Sequence, residues 1–521
     1  MGKRKEIFWE FLYYVFDSIL IPLVRSTFHV TESSAQKNRL FYFRHDTWRF
    51  LTEPAITELK HTLYEEVPDA KAKLLLDARN LGFSQMRMLP KASGFRPIVN
   101  LRWRMTVVRS GKVQLGKSIN SRLSPVFHML DLERRRQPER LGSSLFSPDD
   151  MFSRLRDFRS HLAQQGLRGK RLYFAKLDVK SCFDTIPQAS VLKLVEQIIQ
   201  ESEYQIASHA AIKPMRSYYY RKEESSRVRP TRKFISIART SNDAARFDEW
   251  LNNGQNLQQK DTVYVEAAVR QRQKSGPLLD LLEDHLQNNI IKIGKKFFRQ
   301  QAGIPQGSVV SSLLCNLFYA KLEQEHLTFL SDGKSLLLRL IDDFLVITTN
   351  IEIAKRFIQV MHAGIRDFGV EVNIAKSLTN FACDLDRRSV PRVSSDTKAF
   401  PYCGNLIDMK TLNITKDREG GRATALADSL TVDLHKTPGR VFYRKALTSF
   451  KMQCHKMLVD TSYNSLMTVL CAIYQNFTAT AMKIYRYSKC MLGPTRPHLD
   501  LTIGESTLYP PLLASRRTNP L

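Results

Sequence analysis

Two apolar runs, Leu336 to Ile341 and Phe344 to Thr348, are separated by nothing except Asp342 and Asp343. Two such runs divided by two polar residues form a β-hairpin, and the pair of carboxylates falls at its tip. Adjacent acids between hydrophobic strands are partly desolvated, at several kcal/mol each, unless a cation compensates them. Oxygen-only donors with no neighbouring imidazole suit magnesium, which keeps part of its water shell and shares the rest with phosphates. A solvent-facing turn also accepts two acids, so the pair alone leaves both readings open.

A third acid bears on the choice. Residues 172 to 187 read as an apolar strand reaching Asp178, then a turn and a short helix. An acid at a second strand end can bridge two cations with Asp342 and Asp343, an arrangement suited to in-line phosphoryl or nucleotidyl transfer. Charge points the same way. The chain of 521 residues carries 79 basic and 51 acidic residues, a formal net charge of +28 that calls for a polyanionic partner. Nucleic acid fits this better than a membrane surface, because the bases are dispersed among apolar segments and do not line one amphipathic helix. The seven cysteines form neither a C-x-x-C pair nor a zinc-type cluster, which indicates neither a disulfide framework nor a zinc site.

The length allows roughly two to four domains. The first 75 or so residues read as helical, and the apolar run Phe11 to Val24, broken by Asp17 and Pro22, reads as a core helix too short to span a bilayer. Aromatic and basic residues mix at Phe41 to Arg44 and Trp48 to Phe50; they suit base stacking and phosphate contact, and equally the buried face of a helix. A hairpin follows over residues 86–101, carrying Lys91 and Arg96. The stretch from about 200 to 290 reads as a less patterned, helix-containing insertion. Its part from Lys213 to Arg239 holds nine bases against Glu223 and Glu224, as either a nucleic-acid contact or a solvated surface. A glycine loop, Gly303 to Ser308, feeds a long helix over Val309 to His326 that Ser308 is placed to cap. The last 110 residues or so read as mostly helical and basic, with an irregular tail from about residue 491.

Taken in order, the 86–101 hairpin, the segment Lys176-Leu177-Asp178-Val179-Lys180-Ser181-Cys182-Phe183-Asp184, the loop Gly303-Ile304-Pro305-Gln306-Gly307-Ser308 and Leu340-Ile341-Asp342-Asp343-Phe344-Leu345-Val346 resemble the motifs of reverse transcriptases. Three further features resemble the telomerase reverse transcriptase family over about residues 8 to 485: the segment from Phe28 through Arg44 to Trp48, the long insertion between Asp178 and Gly303, and Phe400 to Asp408. The resemblance implies an α/β (α+β) right-hand polymerase with fingers, palm and a mostly helical thumb. The end of an RNA-binding domain would occupy residues 1–75, fingers and palm 76–412, and the thumb 413–521. The amino-terminal domain, part of the RNA-binding domain and the end of the thumb are expected to be missing from this stretch.

Carried over residue by residue, the resemblance makes Asp178, Asp342 and Asp343 ligands of two Mg2+ ions. Lys376 would protonate the leaving pyrophosphate or steady the nucleotide. Lys91 and Arg96 would neutralise the triphosphate of a deoxynucleoside triphosphate, Phe183 would pack against its sugar, and Gln306 and Gly307 would line its pocket. Tyr402, Cys403 and Gly404 would hold the end of a single-stranded telomeric DNA primer, while Phe28, Arg39, Tyr42, Arg44 and Trp48 would bind the telomerase RNA. The expected location is the nucleus, at telomeres. A mobile-element reverse transcriptase and a non-catalytic RNA-binding scaffold of the same fold remain open alternatives.

Overall fold

The computed structural model describes residues 2–34, 39–91, 94–109, 112–213, 231–240, 262–385, 388–394, 396–418 and 438–490. At its centre lies an antiparallel four-stranded sheet in the order Ser335–Leu340, Asp343–Thr348, Tyr173–Asp178, Leu378–Thr379. Side chains alternate across a strand, so each inner strand feeds two cores. Ala175, Leu177, Phe344 and Val346 pack into one, beneath helices Ile119–Arg136, Gln188–Ile198, Ser311–His326 and Ile351–Ala363. Phe174, Leu345 and Ile347 pack into the other, against helix Pro148–Gln164 and the strands Ala399–Tyr402 and Asn405–Asp408. Burial on both faces explains why these strands read as continuous apolar runs.

A five-stranded sheet lies beside this layer in the order Tyr64–Val67, Lys296–Gln300, Ile290–Ile293, Ser84–Pro90, Phe95–Val99. It contains the expected 86–101 hairpin, with Leu89 opposite Arg96. Against the aromatic face of that hairpin docks the amino-terminal region. Trp48 stacks on His29 at 4.1 Å and meets Phe95 edge-on at 5.6 Å, Ser34 N donates to the Pro90 carbonyl, and Arg87 pairs with Glu32.

Four expectations require correction. The first 75 residues are not all helical: Phe28–Glu32 and Leu40–Arg44 pair as a hairpin, since Leu40 to Arg44 alternates exposed and half-buried positions with the period of a strand. The run expected as a short core helix belongs to a helical stretch, Gly2–Thr27, long and apolar enough by length and composition to cross a membrane, and none of it is buried. Proline lacks an N–H and clashes one turn back; the π-helical segment Val15–Leu20 takes up that defect and carries the helix past Asp17 and Pro22. The insertion contains the expected helix, Ser275–Gln287, but its other described residues are largely strand: Glu203–Lys213 pairs with both Thr231–Arg239 and Val263–Lys274. Residues 214–230 of its basic segment lie outside the described residues, as does the expected tail from 491. Finally, Ser308 does not cap the long helix, which begins at Ser311; its hydroxyl sits 3.0 Å from Nε2 of buried His285.

One polar knot fixes the two-acid hairpin to the body. Arg339, on the first strand of the hairpin, is completely buried and donates to Glu323 Oε1 at 2.6 Å, Asn316 Oδ1 at 2.9 Å and Ser144 Oγ at 2.5 Å. Glu323 also accepts from Ser143 N at 2.7 Å and Ser143 Oγ at 2.6 Å. Removing one partner strands a buried charge, so Glu323→Ala should lower the unfolding free energy by about 3–5 kcal/mol. In denaturant titrations, Glu323→Leu combined with Arg339→Met should be less destabilised than either single change.

Candidate active site

The strand register places Asp343 directly opposite Asp178. Asp342 occupies the turn before Asp343, and its carbonyl accepts from Val179 N at 3.1 Å, which ties the turn to the chain just past Asp178. The two central residues of this turn are Ile341 and Asp342, and Ile341 has φ of +59°, unusual for a β-branched residue. Such a conformation costs on the order of 1–3 kcal/mol and persists where the surroundings over-determine it.

All three carboxylates are partly buried. Burial, then the charges of Asp343 and Asp178, hold the Asp342 carboxyl above the usual carboxylate range; burial does the same to Asp343, against the opposing pull of Lys176. Lys376 Nζ lies 2.7 Å from Asp178 Oδ2, and Lys176 Nζ lies 3.7 Å from Asp343 Oδ1. The short turn Ile374–Lys376 is aimed at the site because Asn373 N donates to the Asp178 carbonyl at 3.3 Å and the Asn373 side chain caps the turn. Among the described residues no group of three or more His, Cys, Asp or Glu side chains is arranged to hold a metal ion by itself. Hard oxygen donors with raised proton affinity, open on one side, nevertheless suit a divalent cation whose remaining ligands are water and phosphate.

The glycine loop closes the other side of the site. Ile304 N donates to the Phe183 carbonyl at 2.7 Å, and Gly303, at φ +71°, approaches so closely that a Cβ would lie 2.4 Å from that oxygen. Gln306 Nε2 donates to Asp184 Oδ1 at 3.0 Å, while Gly307 is exposed. Asn120, which the sequence reading missed, clamps the loop: its Nδ2 donates to the Gly307 carbonyl at 3.1 Å and its Oδ1 accepts from Val309 N at 3.0 Å. No local pattern marks an asparagine whose partners lie so far along the chain.

The other expected site residues divide. Lys91 and Arg96 are exposed on the fingers hairpin, and Phe183 is half-buried beside the loop. Tyr402 is buried at 1% exposure with its hydroxyl donating to the Asp343 carbonyl at 3.1 Å, so it supports the acids from behind. Cys403 and Gly404 form the turn beyond it, the Cys403 thiol pushed up to about 12 by burial and by Asp343. Phe28, Arg39, Tyr42 and Arg44 sit on the amino-terminal hairpin and its connection, Tyr42 and Arg44 exposed; Trp48 is engaged in packing against His29 and Phe95.

Residues 1–59 match the family described as the telomerase ribonucleoprotein complex RNA binding domain, and residues 261–404 the reverse transcriptase (RNA-dependent DNA polymerase) family. The chain is 32% identical over 501 residues to a telomerase reverse transcriptase of Canis lupus familiaris and 29% identical over 498 to that of Mus musculus, in each case covering 94% of this chain and 43% of the relative. It therefore spans less than half the length of these relatives. Among solved structures, telomerase from Candida albicans in complex with a fragment of telomeric RNA superposes with a TM-score of 0.63 at 18% identity, covering 92% of this chain and 66% of that one. Apo telomerase from Candida tropicalis gives 0.55 over 94% and 71%. The fold is that of a right-hand polymerase.

Because folding raises the proton affinity of Asp342 and Asp343, these groups favour the folded chain at low pH and oppose it as pH rises through the carboxylate range. At pH 7.5 a divalent cation should remove that penalty, adding about 1.4 kcal/mol at ten times its dissociation constant. Thermal unfolding with and without manganese should show this shift in the parent protein. Asp342→Asn should equal or exceed the parent's stability without metal and lose most of the shift.

Proposed function

This chain belongs to the telomerase reverse transcriptase family, and from that premise we propose that it is the RNA-directed DNA polymerase part of a telomerase, which extends chromosome 3′ ends by copying an RNA template. The observation that carries this reading is the pairing of Asp178 opposite Asp343 with Asp342 in the adjoining turn. Three carboxylates at the ends of neighbouring strands, facing an open side bounded by basic residues, suit nucleotidyl transfer. Two magnesium ions, when bound here, would activate the primer 3′-hydroxyl and stabilise charge on the leaving pyrophosphate.

The protein's own groups have separable tasks. Lys91 and Arg96 attract and orient the triphosphate of the incoming deoxynucleotide by charge-assisted hydrogen bonds. Phe183 packs against the sugar, where a 2′-hydroxyl has no room, and Gln306 and Gly307 line the remainder of the pocket. Lys376 Nζ, now on Asp178, is the ammonium assigned to hand a proton to the departing pyrophosphate. Half-buried Cys403 and exposed Gly404 form the turn of the strand pair that supports Asp343 and are suited to the primer end, with Tyr402 as their buried anchor. The amino-terminal hairpin, with Phe28, Arg39, Tyr42 and Arg44, offers stacking and phosphate contacts to the telomerase RNA, and Trp48 couples that surface to the fingers. Residues 1–75 act as the end of an RNA-binding domain, 76–412 as fingers and palm, and 413–521 as thumb. Such an enzyme works in the nucleus, at telomeres.

The test supplies a candidate telomerase RNA, a telomeric primer, magnesium and deoxynucleotides. Asp342→Ala should reduce primer extension by at least about 1,000-fold while RNA affinity stays within about threefold. Undiminished extension by that variant would remove the catalytic assignment.

A further inference from the structure

Asp184 follows the ring of Phe183 directly and has no part in the tasks above. Its carboxylate is mostly buried, and burial holds its carboxyl above the ordinary range. Among the described residues the hydrogen-bond donor to that carboxylate is the Gln306 side-chain amide, 3.0 Å away. A carboxamide has a donor end and an acceptor end, and an ionised carboxylate accepts only. Rotating the Gln306 amide by half a turn would set Oε1 against Oδ1 and turn an attraction into a repulsion. Asp184 thus fixes which end of Gln306 is committed to the protein and leaves Oε1 as the end available to a ligand.

The backbone makes the pair a rigid unit. The Phe183 carbonyl accepts from Ile304 N, the Gly303 carbonyl accepts from Gln188 Nε2 at 2.9 Å, and Ser311 Oγ donates to the Pro305 carbonyl at 2.5 Å. Asp184 and Gln306 also line one small cavity together with Tyr64, Val99, Asn289 and Gln300. Behind it, Asn289 Nδ2 donates to Gln300 Oε1 at 2.9 Å and Gln300 Nε2 to the Ala302 carbonyl at 2.9 Å, so the loop that carries Gln306 is braced on its far side. Arg96, one of the two bases assigned to the triphosphate, acts on Asp184 through its charge.

We propose that Asp184 is a positioning residue for nucleotide selection, its carboxylate holding the Gln306 amide so that Oε1 accepts a hydrogen bond from the incoming deoxynucleoside triphosphate. The proposal rests on Gln306 being a nucleotide contact. Asp184 itself touches no substrate and acts through Gln306. Replacing it by asparagine keeps the shape but allows the Gln306 amide to bond in either orientation, so Oε1 is no longer held toward the ligand.

The test uses the full chain on a short RNA–DNA primer–template with magnesium. It combines single-nucleotide incorporation with equilibrium binding of the same deoxynucleotide to a complex whose primer lacks its 3′-hydroxyl. Loss of a charge-assisted hydrogen bond predicts that Asp184→Asn raises KM and Kd for the nucleotide up to about tenfold, with kcat changed less than about threefold. Gln306→Ala should raise Kd at least as much, and Asp184→Asn should add nothing in the Gln306→Ala background. Asp184→Glu, which keeps the charged acceptor, should recover part of the loss. If Asp184→Asn does not fold, Asp184→Ser takes its place with the same expectation. Equal losses from Asp184→Asn in both backgrounds, or a fall in kcat alone, would overturn the positioning role and leave the Gln306 contact standing. An unchanged Kd in Gln306→Ala would overturn the contact itself and the proposal with it.

Discussion

The arrangement of the site depends on a charge that never reaches solvent. Arg339 sits inside the first strand of the acid-bearing hairpin, yet its guanidinium is buried and shared by Glu323, Asn316 and Ser144, while its backbone exchanges hydrogen bonds with Ser143 and Leu145. These partners come from the long helix and from the segment ahead of helix Pro148–Gln164, so one side chain ties two parts of the chain to the strand that leads into Ile341 and Asp342. This anchorage adds to the burial that keeps the outermost strand of the sheet in register with the strand carrying Asp343.

The anchored hairpin then carries charges that the fold alone leaves poorly compensated. Asp342 is raised by burial and by the charges of Asp343 and Asp178, and Asp343 by burial and by Asp178, while Lys376 and Lys176 supply positive charge at Asp178 and Asp343. Hard cations would relieve this imbalance, and on the proposed reading Lys376 and Lys176 would then release Asp178 and Asp343. Support from behind is equally specific. Tyr402 holds the Asp343 carbonyl, and the loop on the opposite side is fastened to Phe183 and Asn120. Stability and chemistry are therefore coupled: the surroundings that keep Ile341 in its strained turn also hold the acids close together.

Much of this was legible in the sequence where the signal is local. Two apolar runs around Asp342 and Asp343 specified the hairpin, and an apolar run ending at Asp178 specified its partner, because burial on both faces leaves a continuous run. Their register was not legible, since nothing local distinguishes Asp178 opposite Asp343 from a neighbouring alignment. Tyr402 was assigned to the primer end by the resemblance, and nothing local showed that its ring is buried with its hydroxyl on the Asp343 carbonyl. The amino-terminal hairpin carried its period-2 signal in Leu40 to Arg44, but the surrounding helical pattern masked it. In the insertion, Arg270 and Arg272 alternate with Gln271 and Gln273, so polar side chains on both faces hid the strand Val263–Lys274. Arg339 offered one clue, a lone base inside an apolar run. Asn120 and Asp184 offered none, because their roles exist only through partners more than a hundred residues away.

The central claim is that Asp178, Asp342 and Asp343 form a site for the divalent cations that carry nucleotidyl transfer. Anomalous diffraction from crystals of the protein with manganese, a primer–template and an unreactive deoxynucleotide analogue tests it most directly. Anomalous peaks are expected within bonding distance, about 2.0–2.1 Å, of carboxylate oxygens of Asp178, Asp342 and Asp343, next to the nucleotide phosphates, with the Lys376 ammonium displaced from Asp178. Peaks confined to other surfaces, with Lys376 still on Asp178 and the nucleotide bound elsewhere, would contradict it.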